Sequence, residues 1–173
     1  KGLDVVAFGR NSTVIRQGED VLKIARASED MSDSERSRLV DELKMRHTIA
    51  AQYLGNICIE QFACEMQHPL RSVPIVASVQ PFVPFRPFRG DLPDNLEQRA
   101  LLADMAYNSQ RMEAETGFVN DTSGTNNFGF TEDGCLVVVD TIPLKASDGG
   151  PSVAYSKEII EQLAACAASV PVR

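Results

Sequence analysis

The feature that most constrains the fold of this chain is a proline-rich segment near its middle, residues 81–90, with the sequence PFVPFRPFRG. Its prolines stand at every third position, Pro81, Pro84 and Pro87, and a phenylalanine follows each of them. Proline has no backbone N–H to donate and fixes its own φ angle, so neither a helix nor a central strand can pass through. We therefore expect an extended, irregular connector between two halves of the chain. Its phenylalanines either pack beneath those halves, which we favour, or form a strip that binds a partner.

Short apolar runs separated by turn residues fill the chain before this connector. The first three runs, at 4–8, 13–16 and 21–25, are rich in β-branched residues and punctuated by glycine, which predicts a three-stranded antiparallel meander. Two further strand candidates, at 57–66 and 73–83, follow later in the sequence. Together these runs predict a five-stranded antiparallel sheet.

Helices are predicted from capping residues and from the spacing of apolar positions. Ser32 and Glu35 have the spacing of a capping box, and Gly55 is a typical residue at the end of a helix. Apolar residues recur at helical spacing between them, and two later segments show the same periodicity. The predicted helices lie between Ser32 and Gly55, at about 95–116 and at about 154–168.

The composition excludes several classes of function. The 173 residues contain 17 Lys and Arg against 24 Asp and Glu, a net charge of −7, so we do not expect a nucleic acid as a partner. No apolar run is long enough to span a membrane. The 4 cysteines have no CxxC spacing and the 2 histidines lie far from any cysteine pair, so a zinc site is not indicated. Free, buried thiols in a reducing compartment are the expected state.

The turn between the first two strands has residues suited to phosphate binding. Gly9 and Ser12 are small, so backbone N–H groups beside them can approach phosphate oxygens. Val14, on the following strand, could pack on an adenine ring. An ordinary β-turn is the alternative interpretation.

A lysine stands in the third apolar run. Lys23 interrupts the sequence Val-Leu-Lys-Ile, and an ammonium group on a core-facing position is costly without an anionic partner. Glu42 on the first helix is the expected partner, and Glu35 is a second possibility. In the alternative interpretation Lys23 faces solvent on an edge strand.

The most informative stretch is the polar loop 120–127 and the hairpin predicted after it. Asp121 and Asn126 stand five positions apart before the first strand of the hairpin, and Asp140 ends its second strand. Because residues 132–134, Glu-Asp-Gly, form a strong turn sequence, the hairpin should bring Asn126 and Asp140 side by side. Carboxylate and amide oxygens are ligands that Mg²⁺ prefers, and Asp121 would then face an acceptor hydroxyl. A polar loop without function is the alternative.

In the order of its elements and in these residues, the chain resembles the protein-kinase-like superfamily, especially the minimal kinases found among bacterial proteins and effectors. The resemblance covers about residues 4–145. It matches Gly9 to Val14 with the glycine-rich loop, Lys23 with the β3 lysine, Glu42 with the αC glutamate, Asp121 and Asn126 with the catalytic loop, and Asp140 with the first residue of Asp-Phe-Gly.

The resemblance implies an α+β, two-lobed fold with an antiparallel five-stranded N-lobe sheet and a strongly reduced helical C-lobe. The whole chain, 1–173, would be a single minimal kinase-like domain. Its N-lobe would span about 1–83, the connector about 84–94 and the C-lobe about 95–173.

The chain departs from the family's motifs at several points. Val119-Asn120-Asp121 replaces His-Arg-Asp, so the arginine that reads activation-loop phosphorylation is absent. Asp140-Thr141-Ile142 replaces Asp-Phe-Gly, and no Ala-Pro-Glu motif follows. We therefore expect constitutive activity rather than regulation by activation-loop phosphorylation, and no ordinary platform for a peptide substrate.

The resemblance implies an enzyme, an ATP- and Mg²⁺-dependent kinase that phosphorylates a Ser or Thr hydroxyl of a protein. Lys23, held by Glu42, would position the phosphates; Asn126 and Asp140 would hold Mg²⁺; and Asp121 would orient or deprotonate the acceptor. Two alternatives remain open. One is a pseudokinase that acts as a binding module, and the other is a small-molecule kinase of the same superfamily, for which so reduced a C-lobe leaves little room for an acceptor pocket. The expected location is the cytosol, which an effector would reach after secretion into a host cell.

Overall fold

The computed structural model of the protein describes residues 4–8, 12–124 and 126–167. In these residues the fold is α+β, with three α-helices and antiparallel sheets. The helices are α1 (Asp33–Leu54), α2 (Leu96–Thr116) and α3 (Gly150–Ala167). The strands are β1 (Asp4–Phe8), β2 (Ser12–Gln17), β3 (Asp20–Ala25), β4 (Phe62–Gln67), β5 (Pro74–Pro81), β6 (Arg86–Pro87), β7 (Phe118–Val119), β8 (Phe128–Phe130), β9 (Leu136–Val138) and β10 (Leu144–Lys145).

The chain divides into two compact units. The first unit comprises Lys1–His47 and Glu60–Val83, and the second comprises Thr48–Ile59 and Pro84–Arg173. Helix α1 therefore begins in the first unit and ends in the second. The finer assignment of lobes and connector stays a prediction.

The first unit contains one antiparallel sheet. Strands β2, β3, β5 and β4 lie side by side in that order, and β1 pairs with the outer edge of β2. The predicted number of five strands thus depends on β1, for which only the backbone is described. The adjacency of β2 and β3 follows from the short turn at Gly18 and Glu19, as the sequence indicated.

Helix α1 packs on one face of this sheet. Its Leu39, Val40 and Leu43 contact Ala63 and Val76, which are 2% and 0% exposed. The opposite face carries its own apolar cluster, built from the alternate residues of the same strands: Ile15, Leu22, Ile24, Ile75 and Ala77. Successive side chains of each strand therefore point to opposite faces of the sheet, and each face carries buried apolar residues.

The predicted start of α1 is confirmed in atomic detail. The backbone N–H and the hydroxyl of Ser32 both donate to Glu35 Oε2, at 2.8 and 2.6 Å, and the Glu35 N–H lies 3.4 Å from the Ser32 hydroxyl. These bonds satisfy N–H groups that a helix start leaves without intrahelical partners. Because the Ser32 hydroxyl stabilises the charged form, the pKa of Glu35 lies below its usual value. Glu35 is therefore engaged at the helix start.

The second unit has an apolar core between α2, α3 and two small sheets. The sheets have the orders β6-β8-β9 and β10-β7. The core contains Leu102, Met105 and Met112 of α2, each at most 1% exposed, together with residues of β8, β9 and α3. A Cβ at Gly129 would lie 2.2 Å from the carbonyl oxygen of Arg86, so only glycine lets β6 and β8 approach this closely.

Part of the connector is more regular than the sequence predicted. Arg86 and Pro87 form the short strand β6, which pairs with β8 at the sheet edge, where proline is tolerated. Phe88 stacks on Phe128 with ring centroids 5.3 Å apart. Packing is thus the observed role of this phenylalanine, as we favoured.

Other predictions from the pattern were wrong in detail. Strand β4 begins at Phe62 rather than at residue 57, because Gly55–Ile57 forms a 3₁₀ turn and Cys58 makes an isolated bridge to Val138. The four thiols are free, but Cys58 is the one fully buried, and Cys135 is exposed.

No helix in the described residues combines the length and the apolar character that crossing a bilayer requires.

We expect the substitution Met112→Ala to lower the free energy of unfolding by about 2–5 kcal/mol, because it removes a fully buried side chain and leaves a cavity. Met45→Ala is the matched control, since Met45 is 43% exposed on α1, and it should change stability by less than about 0.5 kcal/mol. Urea unfolding followed by circular dichroism measures both. Equal losses in the two variants would contradict the assigned core.

Candidate functional site

Three of the predicted nucleotide-binding residues share one face of the first unit's sheet. Val14 is the cross-strand partner of Lys23, and Ser12 lies two positions before Val14 on the same strand. Lys23 is in turn opposite Ser78, and Ser78 is opposite Ala63. Since cross-strand partners point to the same side, Lys23 lies on the face that α1 covers. Gly9, the first residue of the predicted loop, lies outside the described residues.

Glu42 lies half-buried on α1, the helix that packs on this face. Its carboxylate accepts a charged hydrogen bond from Arg46, one turn further along the helix, at 2.5 Å. The placement agrees with a role opposite Lys23, and Arg46 is an additional cation that the sequence analysis did not include. The ion pair between Lys23 and Glu42 stays a prediction.

The loop before the hairpin in the second unit is held by hydrogen bonds to Asp121. Oδ1 of Asp121 accepts from the Ser123 hydroxyl at 2.6 Å, from the Ser123 N–H at 3.0 Å and from the Ser156 hydroxyl at 3.5 Å. The backbone oxygen of Asp121 accepts from Asn127 Nδ2 at 2.9 Å. A Cβ at Gly124 would lie 2.2 Å from Asn127 Oδ1, so glycine leaves room for this contact. The carboxylate therefore has a fixed orientation.

Helix α3 fixes the same loop from its other side. Thr122 donates its backbone N–H to the Ser156 hydroxyl and its own hydroxyl to the Ser156 carbonyl, both at 3.2 Å. Both residues are buried, at 2% and 0% exposure. Sequence reasoning missed Ser123, Thr122 and Ser156. The close spacing of Asp121 and Ser123 is a local turn signal that could have identified Ser123. No local pattern connects Ser156 to the loop.

The return of the hairpin brings Asp140 next to this loop. The backbone N–H groups of Val139 and Asp140 both donate to the carbonyl oxygen of Asn127, at 2.8 and 3.2 Å. Asn126, the predicted metal ligand, is the residue immediately before Asn127 and is exposed. The hairpin predicted from its turn sequence is confirmed, with β8 paired to β9. Whether Asn126 and Asp140 bind one cation stays a prediction.

Burial and the nearby charge of Asp140 both act on the carboxylate of Asp121. Burial is the main cause that raises the pKa of Asp121, and the negative charge of Asp140 raises it further. The hydrogen bonds from Ser123 and Ser156 lower this pKa, but they do not outweigh burial and repulsion. A half-buried carboxylate with a raised pKa, already hydrogen-bonded to hydroxyl groups, is suited to accept a proton from a hydroxyl.

The possible metal ligands are oxygen atoms. Across the described ranges, no three His, Cys, Asp or Glu side chains converge as a metal site. The predicted Mg²⁺ ligands, Asn126 and Asp140, are an amide and a carboxylate, a donor set that Mg²⁺ accepts when water and phosphate oxygens complete its shell. The chemistry of these two groups therefore fits the predicted cation.

A cavity of about 750 Å³ adjoins the Asp121 loop within the second unit. Thr122, Ser123 and Gly124 form one wall. The other walls come from the chain after β6 and from α3: Phe88, Arg89, Gly90, Leu92, Phe128, Tyr155, Ile159, Gln162, Leu163, Ala165 and Cys166. This volume lies in the range of pockets that bind small molecules or several side chains. The sequence analysis did not anticipate this cavity, because its walls come from segments that are distant in sequence and no local pattern reveals how they meet. The expectation that the C-lobe leaves little room for an enclosed acceptor pocket stays a prediction.

The predicted site residues thus fall into two groups. Ser12, Val14, Lys23 and Glu42 belong to the first unit, and Asp121, Asn126 and Asp140 belong to the second. In the first group the strand register places Val14 opposite Lys23, and in the second Asp140 lies near the Asp121 loop. Convergence of the two groups around one nucleotide stays a prediction.

Comparison with the sequence profiles of known protein families found no match, and neither did comparison with curated proteins.

We expect Asp121→Asn to raise the free energy of unfolding at neutral pH. The raised pKa of Asp121 means that the folded state favours the protonated form, so its contribution to stability is fully present below the unfolded pKa, about 3.9, and is lost as the pH rises through the folded pKa. Asparagine keeps the acceptor oxygen and removes the charge. The gain should therefore shrink as the pH falls toward 4.

Urea unfolding between pH 4 and pH 8 measures this difference. Asp104→Asn, at an exposed position of α2, is the control and should change stability by less than about 0.5 kcal/mol. A constant or absent gain for Asp121→Asn would show that its carboxylate is not destabilised by burial and by Asp140.

Proposed function

We propose that this protein is an ATP- and Mg²⁺-dependent phosphotransferase, a minimal Ser/Thr protein kinase that transfers the γ-phosphate of ATP to a protein hydroxyl. One observation carries the proposal: the half-buried carboxylate of Asp121 has a raised pKa, binds hydroxyl groups and lies close enough to Asp140 to be repelled by it. The spacing of these residues, the position of Lys23 in β3 and the capped helix α1 agree with the resemblance to kinases.

In this proposal Asp121 orients the acceptor hydroxyl and accepts its proton. The acceptor oxygen forms a bond to the γ-phosphorus while the bond from that phosphorus to the bridging oxygen breaks, and ADP leaves. The bond at 2.6 Å from the Ser123 hydroxyl shows which atom, Oδ1, already receives hydroxyl groups. Raising the pKa of the base toward the working pH makes the proton transfer more favourable.

The remaining residues bind the nucleotide in this proposal. Lys23 neutralises the α- and β-phosphates, with Glu42 orienting its ammonium group, and Val14 packs on the adenine. Ser12 and the turn that includes Gly9 supply backbone N–H groups to phosphate oxygens. Mg²⁺, when bound, neutralises charge on the phosphates, and Asn126 and Asp140 are the residues that would hold it.

The replacement of the activation-loop arginine by Asn120 supports activity without activation-loop phosphorylation. Asn120 stands where kinases of the ordinary type have that arginine, is 2% exposed and lies with its Nδ2 3.4 Å from the Ser109 hydroxyl. A neutral side chain directed to α2 has no charge with which to bind a phosphorylated loop. We therefore propose constitutive activity.

A second candidate is a kinase for small molecules, which the cavity of about 750 Å³ beside Asp121 favours. The two candidates share the nucleotide site and differ in the acceptor. A pseudokinase, the third possibility, would bind a partner without transferring phosphate.

We expect purified protein to transfer labelled phosphate from ATP to a protein in a cell extract when Mg²⁺ is present. Asp121→Asn and Asp140→Asn should each lower the rate at least about 100-fold, because one loses the base and the other a metal ligand. Asp104→Asn, exposed on α2, should keep the rate of the wild type. Equal rates in all three variants would exclude these carboxylates from catalysis.

We expect ATP with Mg²⁺ to raise the midpoint of thermal unfolding, because a ligand that binds the folded state stabilises it. Lys23→Met should reduce this shift, whereas Lys44→Met should not, since Lys44 is exposed and lies over the Phe62 ring. A shift in the wild type without phosphate transfer would identify a pseudokinase. No shift at millimolar nucleotide would contradict nucleotide binding altogether.

A further inference from the structure

The cavity beside the Asp121 loop has a mainly apolar lining. Phe88, Leu92 and Phe128 line it, together with Ile159 and Leu163 of α3. Tyr155 also lines it and is 52% exposed. An apolar recess with a partly exposed aromatic ring in its lining is suited to receive a large apolar side chain.

One hydrogen bond connects this cavity to the proposed catalytic carboxylate. Ser123 lines the cavity, and its hydroxyl donates to Asp121 Oδ1 at 2.6 Å. A ligand in the cavity is therefore separated from Asp121 by one side chain. A chain that leaves the cavity beside Ser123 can bring its own hydroxyl toward the Asp121 carboxylate.

The charge in the described lining of the cavity is positive. Arg89 is the one charged side chain among the described residues that line it, and it has no ion-pair partner in the described part of the chain. Its guanidinium group is exposed and can form a bidentate pair with a carboxylate. The rest of the polar lining, which includes Thr122 and Gln162, is neutral. Charge complementarity therefore favours an anionic group on the ligand.

We propose that this cavity binds the protein substrate beside its phosphorylated residue, and that it selects a segment with a large apolar side chain and an acidic side chain near the Ser or Thr. The inference rests on the proposed function, because it assumes that a Ser or Thr of the substrate is phosphorylated. Binding of the substrate to the cavity does not itself require phosphate transfer. A cavity of about 750 Å³ is roughly 9 Å across, which corresponds to about three residues of extended chain. Both selected side chains should thus lie within about three residues of the acceptor.

Four synthetic peptides test this selection, each with one serine in an alanine background. They carry Leu with Glu, Leu with Lys, Ala with Glu, or Ala with Lys, placed within three residues on either side of the serine. Binding is measured without nucleotide by fluorescence anisotropy of the labelled peptides, and phosphate transfer is measured separately with ATP and Mg²⁺. We expect the peptide with Leu and Glu to bind and react best, by at least about tenfold over each other peptide.

Variants of the lining assign this selection to the cavity. Arg89→Glu should reverse the preference from Glu to Lys, and Tyr155→Ala should remove the preference for Leu. Arg86→Glu and Tyr107→Ala are the matched controls, since both residues are exposed outside the cavity, and they should leave the preferences unchanged.

Alkylation by N-ethylmaleimide gives a readout independent of activity. Cys166 lines the cavity and is half-buried, whereas Cys135 is exposed on the hairpin and serves as an internal reference. We expect the peptide with Leu and Glu to slow the alkylation of Cys166 and not that of Cys135. Mass spectrometry of the labelled cysteines measures both rates in one sample.

The outcomes separate this inference from the proposed function. Selective binding with protection of Cys166 but without phosphate transfer supports the site and overturns the kinase. Phosphate transfer without selection, unaffected by Arg89→Glu, supports the kinase and overturns the site. Protection of Cys166 by phenylpropionate but by none of the peptides also overturns the peptide site. It would show that the cavity binds a small aromatic carboxylate.

Discussion

The candidate site depends on one backbone contact, the convergence of two N–H groups on the carbonyl oxygen of Asn127. Val139 and Asp140 make this contact where the second hairpin strand ends, and it closes the polar loop against the returning chain. Without it the loop and the end of the strand would be joined only through the hairpin. With it, the carboxylate of Asp140 lies near enough to raise the pKa of Asp121. This backbone contact thus sets the distance to Asp140, while burial and the hydroxyl groups of Ser123 and Ser156 also act on Asp121.

The second constraint is the attachment of the same loop to α3. Ser156 bonds the loop through its hydroxyl and its carbonyl, and both it and Thr122 are buried. Buried polar groups that are satisfied by one another fix a loop more strictly than exposed ones, because losing one partner leaves the other without a hydrogen bond. This attachment holds the loop around Asp121 in place, and Thr122 of the same loop also lines the cavity. Substrate selection and proton acceptance would then depend on the same few contacts.

The two units use different means to position their charged groups. In the first unit, strand register and the packing of α1 place Lys23 and Glu42 on the same side of a regular sheet. In the second, an irregular loop places Asp121 through individual hydrogen bonds. A regular sheet tolerates exchange of most exposed residues, whereas a loop of this kind depends on particular ones such as Gly124. The loop is therefore where substitutions should affect function most directly.

The sequence by itself determined the elements whose signals are local. The capping box at Ser32 and the turn of the hairpin involve residues a few positions apart, so their hydrogen bonds are encoded in short stretches of chain. Only the tertiary structure decided the raised pKa of Asp121, its contact with Ser156 and the presence of the cavity. Burial and the meeting of distant residues depend on how α3 packs, and no local pattern reports that packing.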